Sequence, residues 1–175
     1  NLDSQSGTAI WTGPMVLQSN ATFMAVNNNP MLLGGPLSGP GNLSKASAGI
    51  LTLTNAASHT GGTFINAGTL TLGASGSLAG TPRIILASGT TFNPSAAGDY
   101  AIPAGQTIAG GGASAGNLIG NFILQPGASL VPGGDGAFGT LAVTTNLTLT
   151  GGTLTFDLNR SLTVGGGVND LLQIG

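Results

Sequence analysis

The stretch GGTFINAGTLTLG, residues 61–73, carries two kinds of signal in thirteen positions. Leu70 and Leu72 alternate with Thr69 and Thr71, and a Gly pair and an Asn-Ala-Gly turn bracket the first short strand. Strand side chains alternate with a period of two, so such a piece sends its leucines to one face and its threonines to the other. The pattern recurs. GILTLT at 49–54, GTLAVT at 139–144, NLTLT at 146–150 and GGTLTFDLN at 151–159 repeat it, again with Gly or Asn at the joints. In the last of these Leu154, Phe156 and Leu158 read as inward and Asp157 as outward.

The rest of the chain supports strands and gives helices no footing. Only 5% of the 175 residues are charged, and 32 are Gly and 9 are Pro. All the acids are Asp, and the residues that usually solvate helix surfaces are nearly missing. No window of a dozen residues keeps helical apolar spacing without a Gly or Pro inside it. Further strands are expected at 21–26, 31–33, 84–87, 100–102, 122–124, 162–164 and 171–174. NNNP at 27–30, GGP at 34–36, SGPGN at 38–42 and PGGDG at 132–136 are turn chemistry. AGGGASAGN at 109–117 reads as a long loop projecting from the body.

Many short strands with Gly-rich turns fit either an antiparallel sandwich or barrel, or a solenoid. The spacing decides. Leu53 to Leu72 and Leu130 to Leu149 are equal steps of roughly 20 residues, at the short end of solenoid repeats. Parallel neighbours normally need a helical crossover, and none is available here. The chain is therefore expected to wind as an all-β parallel β-helix, a β-solenoid with roughly 20-residue coils, as one module over 1–175. Eight or nine coils would give a rod of roughly 40 Å. Inward Leu, Ile, Val and Phe would stack as the core, and outward Thr and Asn as ladders.

At this point the residues resemble a known family. Residues 41–80, GNLSKASAGILTLTNAASHTGGTFINAGTLTLGASGSLAG, are similar to the autotransporter-associated β-strand repeat. Leu43, Lys45, Gly49, Leu51 and Leu53 match its first half. Thr60, Gly61, Gly62, Thr63, Ala67, Gly68, Thr69 and Leu70 match its second. Ser47 stands where the family has Gly, and His59 where an aromatic is common. The resemblance implies a right-handed parallel β-helix at the bacterial cell surface or beyond, within an autotransporter passenger or a large surface protein. It implies a longer polypeptide, of which 1–175 is an excerpt.

Composition excludes several function classes. Three cations in the whole chain, with a formal net charge of −2, leave no footprint for nucleic acid or anionic lipid. No apolar run approaches the ~20 residues of a membrane-spanning helix. Without cysteine there are no disulfides and no thiolate metal sites. Asp3, Asp99, Asp135, Asp157 and Asp170 are scattered, and the best-spaced pair for a shared site on neighbouring coils is Asp135 with Asp157. A lone His59, with Ser58 beside it, makes neither a metal centre nor a triad and reads as an exposed turn residue. GGDGAF at 133–138 holds one Asp, too few for a calcium shell, and GGGASAG at 110–116 has no Lys-Ser/Thr after it for phosphate. Trp11, Tyr100 and Phe23 read as core or cap residues before sugar platforms. Four Asn-X-Ser/Thr sites, at Asn20, Asn42, Asn146 and Asn159, are expected by chance in so polar a chain.

No catalytic, cofactor-binding or metal residue is therefore assigned, and no enzyme activity is expected. A structural role asks for no special residues: a stalk or fibre segment that self-associates end to end, because a β-helix exposes unpaired backbone at each rim and no polar cap is visible. The alternatives are an adhesin taking a glycan or cell-surface ligand, and a polysaccharide-active enzyme.

Overall fold

The computed structural model describes residues 2–4, 7–27, 29–134, 136–159 and 169–175. The expected strand at 162–164 and Asp135 lie outside the described residues. The chain is a β-solenoid. One eight-stranded sheet stacks Leu2–Ser4, Ala21–Ala25, Leu43–Ala46, Thr63–Ile65, Arg83–Leu86, Thr107–Gly110, Ser129–Pro132 and Thr153–Leu154. A second stacks Ala9–Trp11, Met31–Leu33, Ile50–Leu53, Thr69–Leu72, Thr91–Asn93, Gly116–Leu118, Thr140–Val143 and Leu171–Ile174. A third side is shorter: Tyr100–Ile102, Phe122–Leu124 and Leu147–Leu149 pair in one part, Met15–Val16 and Leu37–Ser38 in another. The ladders are parallel throughout, and neighbours in a sheet come from successive coils.

The register explains the alternation. Met31, Leu51, Leu70, Phe92, Leu118 and Val143 form one continuous inward column of the second sheet. Leu43, Thr63, Ile84, Ile108 and Leu130 form another in the first sheet. A one-residue slip would turn each set outward, so burial of one face holds every coil in place. Phe92, Tyr100 and Phe122 meet where the sheets converge, with Phe92 and Tyr100 edge to face at 5.1 Å between ring centroids.

Coil length is uneven along the first sheet, and most coils are longer than the expected period. Leu43 pairs with Thr63, whereas Leu130 pairs with Leu154, a visibly longer step. Leu53 and Leu72 do pair in register. Leu130 and Leu149 do not, because Leu149 pairs with Leu124 on the third side. Their spacing coincided with the period because the third side takes up a variable stretch of chain. The segment 109–117 is also not a projecting loop. Its ends lie in strands, and Ser114 N–H donates to Ser88 Oγ at 3.0 Å, which holds the remainder against the coil below.

Glycine is demanded where corners of successive coils touch. Gly61 sits on Gly41, and a Cβ at 61 would run into the Gly41 carbonyl. This is why a Gly pair opens the deciding stretch.

Candidate functional site

The interior holds more polar groups than the leucine columns suggest. Lys45 occupies an inward position between Phe23 and Ile65 and is fully buried. Its Nζ donates to three carbonyls: Ala46 at 2.9 Å, Ser47 at 2.6 Å and Ala67 at 3.0 Å. An ammonium has three protons, so the cage satisfies it fully. Ser47 takes φ +66°, the left-handed region. That turn swings its carbonyl onto the ammonium, in a backbone region that favours Gly, the residue the resemblance leads one to expect at this position. Burial pushes the Lys45 pKa down to about 8.

His59 is buried, not exposed in a turn as its sequence context suggested. Its Nε2 lies 3.0 Å from Thr63 Oγ1, another inward polar group, while Nδ1 is buried without a hydrogen-bond partner. Burial lowers its pKa, so the ring is neutral. With the proton on Nε2, Nδ1 presents only a lone pair to the core. His59 thus fills the core position of an aromatic. Gln106 closes a third network. It accepts from the Tyr100 hydroxyl at 2.9 Å and donates to the carbonyls of Leu78 and Thr81 at 2.9 and 2.8 Å. Burial raises the Tyr100 pKa, against the opposing pull of the Gln106 bond. No signal in the sequence marked Gln106.

Asp157 meets Asp170, and its carboxylate also reaches one coil back to the corner at Gly136. Asp135, its best-spaced partner, lies outside the described residues. Asp170 is 6% exposed and accepts from Gly139 N–H on one carboxylate oxygen at 2.9 Å and from Asp157 N–H on the other at 2.7 Å. The Asp157 carboxylate accepts from Gly136 N–H at 2.9 Å. An antiparallel bridge between Leu158 and Asn169 runs beside them. This is a clamp that fastens the 133–139 corner to the last coil. Every carboxylate contact described in it is a backbone N–H, so the arrangement holds structure together. Among the described residues no group of three or more His, Cys, Asp or Glu could hold a metal ion.

Two corner ladders carry the exposed amides. Asn42 Nδ2 donates to Asn20 Oδ1 at 2.9 Å, and Asn42 Oδ1 accepts from Gly62 N–H at 2.7 Å. Farther along, Asn146 donates to Asn121 at 3.1 Å and Asn121 to Asp99 at 2.9 Å. Phe23 and Tyr100 are core residues, which removes them as sugar platforms; Trp11 is 46% exposed.

Trp11 belongs to the remaining feature, the rims. The first strands of the sheets pair on one side only, and Ile10, Trp11 and Val16 there are 63, 46 and 54% exposed. At the other rim Leu149, Phe156, Leu158 and Ile174 are 57, 39, 74 and 55% exposed. Leu147, Leu149, Phe156 and Leu158 read as inward, but beyond Leu154 the strand ends, and Phe156 and Leu158 face out while Asp157 is half-buried. Trp11, Leu149 and Ile174, in register with buried Leu33, Leu124 and Val143, lack a next coil among the described residues, whereas Ile10 and Val16 face outward with Leu32 and Ser38. Among the described residues the rims therefore combine unpaired strand edges with apolar side chains.

Comparison with known proteins adds one match. Residues 43–72 match the family model of the passenger-associated-transport-repeat. No curated protein and no solved structure matches the chain. The matched segment spans Leu43–Ala46, Ile50–Leu53, Thr63–Ile65 and Thr69–Leu72, two strands of one coil and the two strands stacked directly on them. That explains why the matched unit exceeds one coil: its second half is the template partner of its first. It carries the Lys45 cage, whose third carbonyl, Ala67, comes from that second half. Residues 43–72 thus match the passenger-associated-transport-repeat and, stacked within a β-solenoid, fit the autotransporter-associated repeat that the sequence resembles.

Proposed function

We propose that the chain is a structural, non-enzymatic module of an exported bacterial passenger, a stalk or fibre segment at the cell surface that continues end to end. The observation that carries this reading is the pair of apolar rims, unpaired among the described residues. An open strand edge templates another strand, and a rim at one end differs from the rim at the other. Joining unlike rims is a heterologous contact that does not close on itself and so extends the rod. The polar groups inside are satisfied largely by backbone, which suits a scaffold. The partner this implies is more β-solenoid, in the same polypeptide or in a second copy.

The test uses the isolated 175-residue chain. Analytical ultracentrifugation over a concentration series, with negative-stain images of the same samples, should show association that grows with concentration and yields rods one coil wide. A folded chain that stays monomeric at millimolar concentration would overturn the non-covalent form of the proposal.

A further inference from the structure

The outer face of the first sheet breaks the expected rule of Thr and Asn ladders. In the middle of the second sheet the outward positions Thr52, Thr71 and Asn93 follow it, although the same column begins with Ile10 and Leu32. In the first sheet the outward column runs Phe64, Ile85, Ala109, Val131. Parallel register stacks these four side chains directly above one another. Ile85, Ala109 and Val131 lie in an open groove of about 430 Å³, with Pro82, Arg83 and Gly134 also on its walls. That volume falls within the range of small-molecule sites.

Arg83 is the second part of the observation. Its side chain is exposed and lies across Gly62, where a Cβ would stand 3.1 Å from Arg83 Cγ and Nε. The guanidinium carbon sits 5.6 Å from the centroid of the Phe64 ring. Lys45 is buried and Arg160 lies outside the described residues, so Arg83 is the one Lys or Arg on the described surface. The carboxylates of Asp99, Asp157 and Asp170 bond to amides elsewhere. A planar fork of donors thus stands over an apolar trough, held in place by an aromatic face.

We propose that this groove binds a medium-chain fatty acid, with the alkyl chain along Ile85, Ala109 and Val131 and the carboxylate on Arg83. One positive group calls for one negative charge, and an apolar floor calls for a hydrocarbon body. A glycan would leave that floor unused, and a dianion would leave half its charge unmet. From the Arg83 guanidinium over Phe64 to Val131 the span covers three strand steps of ~4.8 Å, long enough for an extended acid of about ten carbons with its carboxylate included. This site is separate from the rims and does not depend on end-to-end joining.

Decanoate, decanol and decyltrimethylammonium, each below its micelle concentration, are titrated into the full chain and followed by calorimetry and backbone amide shifts. Decanoate is expected to bind saturably at one site, with shifts at Ile85, Ala109 and Val131. It should bind about tenfold more tightly than decanol, the worth of one charge-assisted contact, and the cation should be weakest. Arg83→Gln, on an exposed rim of the groove, should remove the preference for decanoate, and Ala109→Phe should fill the trough and abolish binding. No saturable decanoate binding to folded protein, equal binding of the cation, or an unchanged preference in Arg83→Gln would each overturn the proposal. Because Arg83→Gln leaves the core untouched, its result stands even if Ala109→Phe fails to fold.

Discussion

Lys45 and Ser47 act as one device. The lysine needs three carbonyls in a place where leucines would otherwise pack, and the left-handed residue supplies one of them. Serine there stores strain that glycine would not, about 1 kcal/mol. Ser47→Gly is therefore expected to raise unfolding stability by about that amount, read by urea denaturation. The pH dependence follows from the direction of the Lys45 shift. Its folded pKa, about 8, lies below the ordinary value of 10.5. Below pH 8 both states hold the proton and the burden of burying the ammonium is complete. Between pH 8 and 10.5 the unfolded chain binds a proton the folded one lacks, so stability rises with pH. Lys45→Met is expected to flatten that rise, seen in thermal melts of both proteins across the window. His59 works at the other end. Its lowered pKa means that the unfolded chain takes up a proton first as pH falls below 6.5, so stability drops. His59→Phe should remove that acid slope, and an unchanged slope would show that the burial assigned to His59 is wrong.

Strand pairs and corners carry the next level. ILTL at 50–53 and TLTL at 69–72 stack in register with leucine on leucine, and the repeat holds both partners. The last coil lacks such a repeat and uses the Asp157–Asp170 clamp. Asp170→Asn keeps one acceptor but turns an amide N–H toward a backbone N–H that needs an acceptor. The loss should be about 1–3 kcal/mol, since one buried donor goes unmet. Amide hydrogen exchange should place the loss in 136–143 and 171–174, with the repeat at 43–72 unaffected. A loss spread evenly along the rod would contradict the local role of the clamp.

The solenoid as a whole is a one-dimensional stack, in which each coil meets only its neighbours. Its stability therefore responds to anything that completes a rim. Leu149→Lys puts a charge at the exposed rim, at a residue that is 57% exposed and stacks on the end of the Leu124 column. It should abolish concentration-dependent association while leaving the melting temperature at low concentration nearly unchanged. Persistence of association in that variant would place the contact somewhere other than the rim.

Alternating Leu and Thr with Gly at the joints was enough to specify strands, parallel winding and the core columns, because period-two burial and corner sterics are local matters. The strands at 31–33, 100–102, 122–124 and 171–174 were readable to the residue. What could not be read depends on which coil lies above which. A polar residue such as Lys45 or His59 looks exposed until the neighbouring coil closes over it, and Ala67 reaches the ammonium from 22 positions away. Register likewise brings Phe64, Ile85, Ala109 and Val131 into one column although no two are adjacent in the chain. Coils of unequal length hide such stacking from any fixed period. Local chemistry chose the spiral, and its stacking alone settled which polar groups it buries and where its surface turns apolar.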